Sequence, residues 1–271
     1  MGVTLGLSGA ELQFLDIGSG MHKRRIAFCR RAGFGPGLVW LPGFKSDMAS
    51  TKARTVDEYC EARGRALLRF DYSGHGASSG RFEDGTISRW LEECVETFCA
   101  ATAGPQILVG SSMGGYLALL LVRALAASNA LTRIVGLILI APAVDFTETL
   151  MWKCASAEVR EAIEQQGQWM RPTPYASDPY PITRTLIEDG RRHLLLGGAI
   201  RTYAPTRILQ GMLDLDVPYA HVQSLMEHIA ADPVVLTLVR DGDHRLSRPQ
   251  DLQVLLSAIE DMSADASRTA R

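Results

Sequence analysis

The clearest chemical pattern in the chain is Gly110-Ser111-Ser112-Met113-Gly114, which fits G-x-S-x-G. Glycines two before and two after a serine let a strand and a helix approach closely around one strained residue. The apolar run 107–109 reads as a buried strand, 110–115 as a tight turn and 117–127 as a helix, which leaves Ser112 exposed at the tip. A phosphate loop would need Gly-Lys followed by Ser or Thr, whereas Gly115 is followed by Tyr116. The chemistry on offer is nucleophilic attack by the Ser112 hydroxyl.

A serine hydroxyl is a weak nucleophile until a base takes its proton, and that base must be held in one tautomer by a third group. In a strand-turn-helix fold of this kind the order along the chain is serine, acid, histidine. Of the histidines, His22 and His75 precede the serine, His193 sits beside Arg191 and Arg192, and His221 and His228 lie along one helix. Surface or cap packing accounts for these. His244 follows the last expected strand between Asp243 and Arg245, where an imidazole can swing over Ser112, and is the expected base. For the acid, Asp214 and Asp216 both follow a strand ending at Gln210. Asp214 is favoured because it is nearer the strand end, Asp216 can cap the helix that begins after Val217-Pro218, and Asp145 ranks third.

The oxygen of a tetrahedral intermediate needs preorganised donors. One is the amide of Met113, directly after the nucleophile; the other is expected from the loop after 38–41, where Pro42-Gly43-Phe44 makes the Phe44 amide the natural supplier. An ordinary proline-glycine turn is the competing reading of that loop.

The elements that must hold these groups can be read from pattern. Residues 11–31 mix apolar and charged positions, as edge strands do. Short apolar runs at 38–41, 66–70, 107–109, 134–140, 207–210 and 234–239 alternate with helical stretches at 48–63, 87–101, 117–127, 219–229 and 249–261. That alternation implies a mostly parallel, doubly wound α/β sheet. A second G-x-S-x-G, Gly76 to Gly80, precedes the polar stretch 81–85 rather than an apolar helix, so Ser78 is a loop serine. A short polar tail is expected from Ser263.

The alternation stops between 145 and 205. No buried strand is expected there, only two or three short helices, with Asp145 and Glu148 at a start, Gly167 at a stop and Pro172, Pro174, Pro179 and Pro181 as interruptions. Such an insertion at one end of a sheet reads as a helical lid. It is crowded with Phe146, Leu150, Met151, Trp152, Trp169, Met170, Tyr175 and Tyr180. Trp152 and Trp169 are therefore expected in the wall of an apolar acyl pocket, against the plainer reading that they pack the lid onto the sheet.

At 271 residues the chain fits one α/β domain, residues 1–271, with the lid 145–205 inside it. A formal net charge of -2 gives no pull towards nucleic acid or anionic lipid. The longest apolar runs are too short to span a bilayer, so no stable membrane insertion is expected. Five scattered cysteines without zinc-ligand spacing suit a reducing compartment. The opening Met-Gly-Val-Thr-Leu-Gly shows no export or lipidation pattern, and the expected location is cytoplasmic. No His/Asp/Glu set has metal-ligand spacing, so no metal or other cofactor is expected.

Several stretches together resemble an α/β-hydrolase over nearly the whole chain: Leu-Pro-Gly-Phe-Lys-Ser-Asp from Leu41, Arg-Phe-Asp-Tyr-Ser-Gly-His-Gly from Arg69, and Gly-Pro-Gln-Ile-Leu-Val-Gly-Ser-Ser-Met-Gly-Gly from Gly104. Gln-Gly-Met-Leu-Asp from Gln210, Val217-Pro218 and Asp243-His244-Arg245 complete the set. They are most similar to the abhydrolase branch that includes acyl-protein thioesterases and acyl-glucuronide esterases. The resemblance implies an α/β-hydrolase fold with Ser112 as nucleophile, Asp214 as acid and His244 as base. The expected partner is then a small-molecule ester or thioester, or an acylated protein. Two readings compete: the same triad acting on a peptide or carbon-carbon bond, and a hydrolase-fold protein that binds ligand without turning it over.

Overall fold

A computed structural model describes residues 11–173 and 178–269; the N-terminal motif at 1–6 and Tyr175 lie outside them. Among the described residues, ten strands and seven α-helices are laid out in chain order: β1 Leu12–Ile17, β2 Arg24–Arg31, β3 Phe34–Leu41, α1 Thr51–Arg63, β4 Arg65–Phe70, α2 Ile87–Ala101, β5 Gln106–Ser111, α3 Met113–Leu125 and β6 Ile134–Ile140. Then follow α4 Ala157–Gln166, β7 Gln168–Arg171, β8 Tyr180–Thr183, α5 Arg184–Gly190, β9 Thr206–Gly211, α6 Tyr219–His228, β10 Val234–Val239 and α7 Pro249–Thr269.

Eight strands form one sheet in the order β1-β2-β4-β3-β5-β6-β9-β10. β2 runs antiparallel to both β1 and β4, and every other pairing from β4 to β10 is parallel. This is the mostly parallel α/β-hydrolase sheet expected from the alternation of apolar strands and helices. Because successive strand residues face opposite sides, each central strand feeds two cores. Val39, Leu41, Leu108, Leu137, Leu139 and Ile208 pack under α2 and α3, whereas Leu38, Trp40, Ile107, Val109, Ile138, Ile140 and Leu209 pack with residues of α1 and α7. A continuous apolar run such as Ile134–Ile140 is the consequence, since neither face meets water.

The segment between β6 and β9 departs from expectation. It holds a π-helical turn Thr147–Trp152, α4 and α5, but also a two-stranded antiparallel sheet, β7 with β8, that the sequence reading missed. β8 is largely buried, with Ile182 at its centre. The prolines that suggested interruption lie beside or within these strands: Pro172 follows β7, Pro179 precedes β8 and Pro181 pairs with Met170. A two-stranded sheet has only edges, so a proline without an N–H is accommodated there. Pro174 lies outside the described residues. The polar tail is also corrected, because α7 continues to Thr269 with Met262 and Ser263 turned inward. No described helix is long and apolar enough to cross a membrane.

Candidate active site

The site lies where β3, β5, β9 and β10 end. Ser112 stands between β5 and α3 with φ 55° and ψ -116°, a left-handed conformation that is costly for a residue with a Cβ. It is held there by four backbone hydrogen bonds: its N–H donates to Ile140 O at 2.8 Å, and its carbonyl accepts from Ala143 at 3.1 Å, Gly115 at 2.9 Å and Tyr116 at 3.3 Å. The flanking glycines are obligatory for space. A Cβ on Gly110 would lie 2.3 Å from Gly114 O, and one on Gly114 would lie 2.0 Å from Leu41 O.

The structure brings Ser112, Asp214 and His244 together from three separate loops. His244 Nδ1 donates to Asp214 Oδ2 at 2.8 Å, and His244 Nε2 lies 3.1 Å from Ser112 Oγ. A carboxylate oxygen accepts, so the proton sits on Nδ1 and the lone pair on Nε2 faces the serine. Asp214 is buried and its carboxylate is fully engaged. Oδ1 accepts the amides of Asp216 at 2.9 Å and Val217 at 2.8 Å, and Oδ2 also accepts from Gln210 Nε2 at 3.2 Å. Lys52, on α1, steadies the loop after His244: its ammonium donates to Arg245 O and reaches Ser247 Oγ at 3.5 Å. Loss of hydration, then the nearby Arg245, lowers its pKa to about 8.

The other acids fall elsewhere. Asp216 does not cap α6, whose N-terminus at Pro218 has no side-chain cap; its Oδ1 lies 3.4 Å from Arg171 Nη2 on β7. Asp145 is buried and accepts the amides of Leu195 and Leu196 at 2.9 Å each, which ties the 145–205 segment back on itself. Ser78 is pinned as a loop residue, accepting from Ala27 N at 2.8 Å and donating to Asp71 O at 2.7 Å. Contrary to the expectation from spacing, Asp214, Asp216 and His244 do place ligand-type atoms within 4.8 Å of one another. In this arrangement their donors are already engaged by each other, by backbone amides and by Arg171.

Phe44 follows β3 and faces the site. Its ring meets Phe82, Trp90, Phe146 and Tyr180 edge-on at centroid distances of 4.9, 5.9, 5.6 and 5.6 Å. In the same turn Ser46 N donates to Gly43 O at 3.1 Å and Lys45 N to His75 Nε2 at 3.2 Å. His75 precedes the serine, so the order along the chain gives it no place in the expected triad. It is in fact 5 % exposed rather than at the surface, and the signal that could have found it is its place in the Asp71 to Gly76 motif. Burial holds its pKa down at about 4, so it is neutral at physiological pH.

Above Ser112 lies a cavity of about 400 Å³. Its lining includes the apolar side chains of Phe44, Phe146, Leu150, Met151 and Tyr180 and the charged ones of Lys45, Lys52, Arg171, Asp178, Asp216 and Arg245. Leu150, Met151 and Arg171 are shared with a second cavity of about 290 Å³, whose wall includes Val159, Ile163, Trp169 and Ile182. Trp169 thus lines the neighbouring cavity rather than the one at Ser112. Trp152 lines neither; it packs on the Ile163, Ile182 and Ile187 cluster, with the guanidinium groups of Arg191 and Arg160 at 5.0 and 5.7 Å from its ring. Trp152 thus packs within the 145–205 segment, a third arrangement beside the pocket wall and the packing onto the sheet.

An eight-stranded α/β sheet with a strained serine at a strand-to-helix turn defines a class of hydrolytic enzymes. The family described as the alpha/beta hydrolase family matches residues 34–255. The chain belongs to that family and is a hydrolase. It is 34% identical over 238 residues to the mouse palmitoyl-protein thioesterase ABHD10, mitochondrial, covering 88% of this chain and 78% of that protein. Among solved structures it is similar to a putative hydrolase from Agrobacterium vitis S4, with 46% identity, a TM-score of 0.91 and coverage of 94% of this chain and 99% of the other. The mouse alpha/beta hydrolase domain-containing protein 10 is 32% identical with a TM-score of 0.82, covering 93% and 98% of the two chains. The curated relatives are named as mitochondrial proteins, which contradicts the cytoplasmic location expected from the cysteines and the opening residues. That expectation is withdrawn.

Proposed function

We propose that the protein is a serine hydrolase that cleaves a carboxylic ester or thioester through an acyl-enzyme. The observation that carries the proposal is the hydrogen-bonded line from Asp214 through His244 to within 3.1 Å of Ser112 Oγ. His244 Nε2 takes the serine proton as Oγ attacks the acyl carbon, and Asp214 holds the resulting imidazolium in place. The amides of Met113 and Phe44 receive the negative oxygen of the tetrahedral intermediate. On collapse, His244 gives its proton to the leaving alcohol or thiol; a water then loses a proton to His244 as its oxygen bonds the acyl carbon, and His244 returns that proton to Ser112 Oγ as the acyl–oxygen bond breaks and the carboxylic acid leaves. The segment 145–205 serves as a lid over this site, and the apolar side chains lining the Ser112 cavity take the acyl chain. The relatives named palmitoyl-protein thioesterases support a thioester substrate, in a small molecule or an acylated protein.

The test is turnover on a matched panel of acyl esters and acyl thioesters, with the freed alcohol or thiol measured. Multiple turnovers on at least one series, lost in Ser112→Ala, are expected. Ligand binding without product release would support a binding protein instead, and turnover confined to peptide or carbon-carbon bonds would reassign the substrate.

A further inference from the structure

The turn that follows β3 is held from below by a buried polar relay that the catalytic line does not use. Lys45, next to Phe44, has φ 58°, a left-handed conformation unfavourable for a side chain of its size. Such conformations persist where surrounding bonds over-determine them. The bond that does so here comes from 30 residues away, since Lys45 N–H donates to His75 Nε2 at 3.2 Å. His75 Nδ1 in turn lies 3.2 Å from Ser73 O, a carbonyl with no proton to give. One tautomer satisfies both contacts, with the proton on Nδ1 and the lone pair on Nε2.

Ser73 is itself fixed at both ends. Its N–H donates to Glu93 Oε2 at 2.8 Å, and its carbonyl also accepts from Trp90 Nε1 at 3.2 Å. Glu93 is fully buried and pairs with the buried Arg24 of β2. The aromatic cage repeats the same connection: the His75 ring meets Phe82 and Trp90 at 5.2 and 5.4 Å, and both of these also contact the Phe44 ring.

We infer that His75 is a positioning residue for the oxyanion turn: its Nε2 fixes the Lys45 amide, and through the rigid 43–45 turn it sets where the Phe44 N–H points. The inference rests on the serine hydrolase reading and on Phe44 as one oxyanion donor. Removing a donor of this type costs roughly 10²–10³ in kcat, and misplacing one costs up to about 10².

The experiment compares His75→Gln with His75→Asn. The Gln amide reaches the Nε2 position and can accept from Lys45, whereas the Asn amide reaches only the Nδ1 position and can keep the bond to Ser73 alone. His75→Asn should lose about 10- to 100-fold in kcat with KM within about threefold, and should bind a boronic acid transition-state analogue more weakly by a matching factor. His75→Gln should stay within about threefold of the parent in all three. Equal losses in both variants, or an unchanged kcat in His75→Asn while Ser112→Ala is inactive, would overturn the inference; activity surviving in Ser112→Ala would instead overturn the serine reading beneath it. Because either His75 variant can fail to fold, the unmutated protein supplies a second readout. Nitrogen-15 NMR should show a neutral His75 with the proton on Nδ1 and a scalar coupling between Nε2 and the Lys45 amide nitrogen. A proton on Nε2 would overturn the inference without any substitution.

Discussion

Asp214 and Asp216 are two residues apart, yet the amide of Asp216 donates to Asp214 Oδ1 at 2.9 Å while the two carboxylates serve different partners. Asp214 takes the His244 imidazole at 2.8 Å, and Asp216 faces Arg171 at 3.4 Å. Asp214→Asn should present an amide where the imidazole needs an acceptor and favour the wrong tautomer, with a loss on the order of 10⁴ in kcat. Asp216→Asn weakens an ion pair whose side chains are 33 % and 32 % exposed, worth about 0.2–1 kcal/mol, and should keep kcat within about threefold. Steady-state kinetics of the two variants distinguish the roles, and a reversal of the pattern would assign the acid to Asp216.

The two cavities predict a chain-length profile. Each methylene moved from water to an apolar wall contributes about 0.8 kcal/mol, or roughly fourfold in kcat/KM. A series of p-nitrophenyl esters from acetyl to dodecanoyl, kept below micelle-forming concentrations, should therefore rise until the apolar walls are filled. Trp169→Ala should flatten the long end only, because Trp169 lines the second cavity, whereas Trp152→Ala should leave the slope unchanged and weaken packing on the Ile163 cluster. A flat series in the parent enzyme, or a slope changed by Trp152→Ala alone, would contradict this division.

Burial of a neutral histidine makes stability depend on pH. His75 is held at about 4 against an ordinary value of 6.5, first by desolvation and further by Lys45, with Ser73 O and Asp47 opposing. Between those values the unfolded chain binds more protons than the folded one, so stability falls as pH falls from 6.5 to 4. At about 1.36 kcal/mol per unit, the contribution is about 3 kcal/mol. Urea unfolding of His75→Gln across that window should be less steep with pH than the parent by about this amount. Identical pH slopes would show that His75 is not a buried neutral group.

Much of this site was legible because its residues are tied to local pattern. Ser112 sits between an apolar run and a helix former, and Asp214 and His244 each follow a strand that one-dimensional pattern can find. Residues placed by tertiary contact were not legible. His75 acts on Lys45 across the sheet ends, and Lys52 reaches the loop beyond His244 from α1. The β7 and β8 pair was missed because four-residue strands carry almost no periodic signal and Pro181 argues against a strand interior. Trp152 shows the limit of composition: a large apolar side chain near a site is as well explained by arginine stacking and packing as by a pocket wall.

The attachment point of a serine-directed fluorophosphonate identifies the nucleophile. Peptide mass spectrometry of the labelled protein should place the adduct on Ser112 alone. Labelling should vanish in Ser112→Ala and persist in Ser111→Ala and in Ser78→Ala, the last losing about 1 kcal/mol of stability with its hydrogen bonds to Ala27 and Asp71. An adduct on Ser78 or Ser111, or labelling of Ser112→Ala at the parent rate, would contradict the assignment of Ser112 as the nucleophile.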